Sequence, residues 1–131
     1  MKRKLKVLTG IIVLSLLAIT NLTYAQSIDN CNILHQGNFT YGNADGLIKV
    51  NIKGKKHIEY HNNGKYYIKS KLDWVSDCEY NMTMKKVTIP NFPFGKGDVM
   101  NVKINKVDGN KIYYTSTVNG QSWDGVFTKI E

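Results

Sequence analysis

The sequence predicts an all-β domain, a small antiparallel up-and-down barrel of about eight strands. Three observations predict it. Beyond residue 26, polar and apolar residues alternate with period two over most of the chain, and no sustained helical periodicity is seen. Clusters of Asn, Asp and Gly, which tolerate positive φ, cut the alternating runs where tight hairpin turns are needed. Both prolines, Pro90 and Pro93, fall in one loop and leave the runs themselves unbroken.

Residues 1–25 stand apart from this domain. Lys2, Arg3, Lys4 and Lys6 make a basic start, residues 7–19 an apolar run, and Thr23-Tyr24-Ala25 a small-x-small ending. That is the layout of a signal peptide, with cleavage expected after Ala25. The apolar run has 13 residues, whereas a stable membrane span needs about 20. The domain organisation is therefore 1–25 signal peptide and 26–131 a single barrel domain, and the product is expected to be exported, periplasmic or secreted.

Strands are expected at 37–42, 46–53, 56–61, 65–74, 78–87, 98–107, 111–118 and 122–130. In the second, Ile48, Val50 and Ile52 alternate with Lys49, Asn51 and Lys53. In the third, alternation assigns Ile58 and Tyr60 to the core and His57, Glu59 and His61 to water. The fourth and fifth point Tyr66, Ile68, Leu72, Trp74, Tyr80, Met82 and Met84 inward. The sixth does the same with Met100, Val102 and Ile104, and the last two alternate less cleanly. Consecutive hairpins of this number close into a barrel with no exposed edge, an open sheet or a five-stranded oligonucleotide-binding barrel being the alternatives.

Charge and cysteine content narrow the function classes. The chain carries 18 basic and 10 acidic residues, a net charge of +8, of which the leader holds four positive charges. The rest are lysines spread along the strands, without arginine, which argues against nucleic acid as a partner. Cys31 and Cys78 form an even pair in an oxidising compartment, so one disulfide is expected, with two buried thiols as the alternative.

Candidate chemistry is sparse. His57, Glu59 and His61 are spaced two apart and share one strand face, a weak candidate metal set. His35 carries no expected role. No Gly-x-Ser-x-Gly elbow, phosphate-binding glycine loop or paired carboxylates stand out, so no enzyme activity and no cofactor are expected. An interior rich in Tyr and Met suits a small apolar ligand, with Tyr60, Tyr66, Trp74, Tyr80, Met82 and Met84 facing it. Phe92 and Phe94, in the proline loop of residues 89–97, would stand at the mouth or plug the barrel end. Counting large inward side chains favours a filled barrel or a small cavity.

The pattern Cys31-x-x-Leu34-His35-x-Gly37-x-Phe39-x-Tyr41, followed by Trp74-x-Ser76-Asp77-Cys78-x-Tyr80, resembles a family of short exported bacterial β-barrel proteins of unassigned function. Gly37-Asn38-Phe39 also looks like the Gly-x-Trp of a lipocalin first strand. The resemblance implies a reduced lipocalin-like fold and a Cys31–Cys78 disulfide, and carries no catalytic residues. The expected function is an exported binding module for a small apolar ligand. The alternative is a protein-directed envelope factor acting through the proline loop, such as an inhibitor of a lytic enzyme.

Overall fold

The computed structural model describes residues 30–42 and 46–130, so the expected leader lies outside the described residues. Eight antiparallel strands form a closed barrel: β1 (Gly37–Tyr41), β2 (Ile48–Lys53), β3 (Lys56–His61), β4 (Tyr66–Ser76), β5 (Glu79–Val87), β6 (Val99–Asp108), β7 (Lys111–Val118) and β8 (Gln121–Lys129). Every strand pairs with its sequence neighbours. β1 meets β8 through Phe39 opposite Lys129 and Thr40 opposite Thr128, and Ile130 N–H donates to Asn38 O at 2.9 Å. Closure leaves no free edge.

The turns follow from their residues. Asn62, Asn63 and Gly64 all have positive φ, and so do Asn119 and Gly120, the left-handed conformation that tight hairpins demand. Gly42 has a φ of +107°, and a Cβ there would lie 2.6 Å from Gly46 O. No side chain fits that corner between β1 and β2. Alternation then fills the barrel with Phe39, Val50, Ile52, Leu72, Tyr80, Val102, Ile104 and Ile112, all buried.

One end is sealed. A 3₁₀ turn, Cys31–Leu34, precedes β1 and puts Leu34 at 0% exposure. The disulfide Cys31–Cys78 ties this turn to the β4–β5 connection. Lys129 Nζ, at the end of β8, donates to Ile33 O and Gln36 O, both at 2.9 Å. The β4–β5 turn and β8 lie on opposite sides of an eight-strand circuit, so the turn straps the barrel across its width.

The other end carries the long β5–β6 loop. Gly97 N–H donates to Met84 O, Met84 N–H to Asp98 O and Gly95 N–H to the Asp98 carboxylate, at 2.8–2.9 Å. These bonds pin the proline loop over the barrel mouth.

Candidate ligand cavity

Within the barrel, towards the loop end, lies a cavity of about 500 Å³. A volume of this size accommodates a small molecule. Its apolar wall comes from alternate residues of several strands: Ile68 on β4, Tyr80, Met82 and Met84 on β5, Met100 and Val102 on β6, Phe127 on β8. Phe92 reaches the cavity from the β5–β6 loop, and Trp123 stands at the rim, 44% exposed. The arithmetic of inward side chains favours a filled barrel or a small cavity, and a cavity remains. Part of the reason is Gly125, opposite Tyr114 in the β7–β8 pair. A Cβ at residue 125 would overlap the Tyr114 phenol, so the glycine lets that ring lie flat against β8, stacked on Phe127 with centroids 4.4 Å apart.

The polar side of the cavity is the face of β3 that alternation assigned to water. His57 is 1% exposed and Glu59 is buried, whereas Tyr60 is 39% exposed. The expected orientation of β3 is therefore inverted, and Tyr60 is not a cavity residue. Hairpin geometry explains why. The two-residue turn Gly54-Lys55 pairs Lys53 with Lys56, Ile52 with His57 and Val50 with Glu59. Directly opposed residues of an antiparallel pair share a face. Since Val50 and Ile52 are in the core, His57 and Glu59 must point inward too. A one-residue change in the turn would flip them all.

Glu59 is the centre of this polar wall. Tyr41 Oη donates to Glu59 Oε2 at 2.9 Å, and His61 Nε2 lies 3.1 Å from the same oxygen. Among the described residues, Oε1 accepts no hydrogen bond. Burial pushes the Glu59 carboxyl up, but the hydrogen bond with His61, the His57 ring and the Tyr41 phenol outweigh it and hold the carboxyl below its ordinary value. Burial, against the pull of Glu59, holds His57 below the usual histidine range, so its ring is neutral at neutral pH. Burial, then Glu59, raises Tyr41 above the ordinary phenol range and pushes Tyr114 up to about 12; Tyr80 is raised by burial, then by Tyr114 and Glu59. All three phenols thus stay protonated.

Two buried polar atoms in this region have no partner among the described residues: His57 Nδ1 and Ser70 Oγ. They belong to cross-strand neighbours in the β3–β4 pair. An unpaired buried polar group costs about 1–3 kcal/mol. The three residues of the weak metal candidate share the cavity wall, but Glu59 and His61 bond directly to each other. Among the described residues, no group of three His, Cys, Asp or Glu side chains is disposed to hold a metal ion.

Of the other residues expected to face a ligand, Tyr80, Met82, Met84 and Phe92 line the cavity. Trp74 does not. It points inward at the sealed end, stacked on His35 with centroids 3.7 Å apart and tilted against Tyr80 at 4.8 Å. Tyr66 sits half-buried at the start of β4, outside the cavity lining, with Lys65 Nζ 5.3 Å from its ring centroid. Phe94 packs edge-on to Phe92 and Trp123, at 5.9 and 6.0 Å, and lines a shallower crevice beside Lys96. His35, for which no role is expected, ties the seal: its Nε2 is 2.9 Å from Asp77 O.

No protein-family model, curated protein or solved structure matches the chain.

Proposed function

We propose that this chain is an exported binding barrel that holds a small amphipathic molecule in its cavity. The observation that carries the reading is the cavity itself: about 500 Å³, largely apolar, with a buried carboxylate on one wall. Few convergent polar groups in an otherwise apolar pocket is the usual make-up of a small-molecule site. Retaining such a space costs packing energy, since a filled core would be more stable. Action outside the reducing cytosol is supported by the Cys31–Cys78 disulfide. Binding, not turnover, is the better reading, because both cysteines are spent in that bond and Glu59 is fixed by two side chains.

The protein-directed alternative has less support. Phe92 and Phe94 are half-buried and pack on each other instead of projecting from the loop. The test is to purify the protein from its native host, extract it with organic solvent and analyse the extract by mass spectrometry. A molecule recovered in stoichiometric amount, and lost from a variant whose cavity is filled by Met100→Trp, is the expected result. An empty barrel that also fails to bind any small apolar or amphipathic probe would remove the reading.

A further inference from the structure

The charge pattern of the barrel is divided by its wall. The strands carry exposed lysines outward, among them Lys49, Lys69, Lys71, Lys85 and Lys103, yet no lysine lines the cavity. Glu59 supplies its charge. Asp124 stands at the rim, but its carboxylate accepts a 2.6 Å bond from Thr115 Oγ1 on the outer face. A net basic protein thus encloses an acidic interior.

The surroundings of Glu59 sharpen this. Its strand neighbours on either side are Val50 of β2 and Ile68 of β4, both apolar. The titratable groups facing it are Tyr41 from β1, His57 and His61 from β3, Tyr80 from β5 and Tyr114 from β7. The three phenols are neutral, as is His57. Both protein partners engage Oε2, which leaves the lone pairs of Oε1 for a donor from the cavity side. His57 Nδ1, buried and unpartnered, is a second polar atom on the same face of β3.

An incoming anion would meet the Glu59 carboxylate across a low-dielectric space whose wall holds no lysine or arginine, and is repelled. A neutral hydroxyl can donate one ordinary hydrogen bond. A protonated amine brings charge as well as donors, and a charge-assisted bond is roughly twice as strong as a neutral one. The tyrosine and phenylalanine rings of the wall present electron-rich faces, which also favour a cation.

Resting on the cavity-binding reading above, we infer that the cavity selects a small protonated amine with an apolar or aromatic body, its ammonium donating to Glu59 Oε1.

Isothermal titration of the oxidised protein near neutral pH tests this with three probe amines: 2-phenylethylamine, tryptamine and decylamine. Each is run beside the alcohol and the carboxylate of the same skeleton. At least one amine is expected to bind about ten-fold or more tightly than its alcohol, the scale of one hydrogen bond to a charged group, with no binding by its carboxylate. Glu59→Gln is expected to erase the preference while leaving alcohol binding intact, and the exterior change Asp73→Asn to leave it unaltered. Should Glu59→Gln fail to fold, the wild-type ranking decides alone. Alcohols or carboxylates binding as tightly as the amines, or a preference that survives Glu59→Gln, would overturn the amine inference and leave the cavity reading standing. Failure of all nine probes to bind would remove both.

Discussion

The two ends of this barrel are built from similar residues to opposite effect. At the sealed end an aromatic (Trp74), a histidine (His35) and a strap of chain fill the space, and each polar group is tied to backbone: His35 to Asp77 O, Lys129 to Ile33 O and Gln36 O. At the loop end aromatics and histidines again converge, but around about 500 Å³ of space. There the polar atoms are tied to one another, or, at His57 Nδ1, to nothing among the described residues. This division of labour is how a chain this small can keep a cavity. One end is over-determined by a covalent link and a plug, and the other is free to be shaped by something besides packing.

That division makes graded predictions. The largest effect is expected at the seal. The disulfide closes a loop between residues 47 apart in sequence, so replacing both cysteines with serine should cost about 4 kcal/mol in the chain-entropy account. Denaturant titration of the variant measures it, and a loss below about 1 kcal/mol would mean that the strap holds without its bond. Leu34→Ala comes next. It removes a fully buried plug and should cost about 3 kcal/mol, read by the same titration.

Acid should then find the loop end. Both His57 and Glu59 have folded-state values below their ordinary ones, so the unfolded chain takes up protons first. Stability linked to His57 is present above about pH 6.5 and is lost as pH falls through that point; stability linked to Glu59 goes below about pH 4.3. Thermal melts from neutral to acid pH should show a progressive fall, and His57→Gln should flatten its upper part. A melting temperature unchanged from pH 7.5 to pH 5 would contradict the burial of His57. The smallest stability effect belongs to Phe92→Ala, a half-buried loop residue at the cavity mouth, at about 1 kcal/mol or less. Its consequence should appear in ligand residence time instead, and a loss matching Leu34→Ala would make the loop end a core like the other.

Much of the barrel is legible from the chain, because alternation and turn chemistry are local signals. Asn119-Gly120 and Asn62-Asn63-Gly64 lie where the hairpins turn, and the eight strands fall within a few residues of the expected bounds. The site is harder to read, because polarity is a poor guide to which face a residue takes. On β3 that guide fails: His57 and Glu59 are inside because Ile52 and Val50 are. The signal lay in the length of the Gly54-Lys55 turn, which fixes register regardless of which residues prefer water. Trp74 and His35 illustrate a different limit. Their stacking depends on a strap that crosses the barrel, and no local pattern reports a contact between residues so distant in sequence. Gly125 is a third case, a glycine whose purpose is the ring on the neighbouring strand.

The barrel has a closed end and a receptive one. Backbone and methyl NMR spectra recorded during titration with 2-phenylethylamine compare the two ends directly. Shifts are expected at Glu59, His61, Met82, Met84 and Tyr114, with the signals of Cys31, Leu34, His35 and Trp74 unmoved. Shifts confined to the sealed end or to the lysine-bearing exterior would contradict that division.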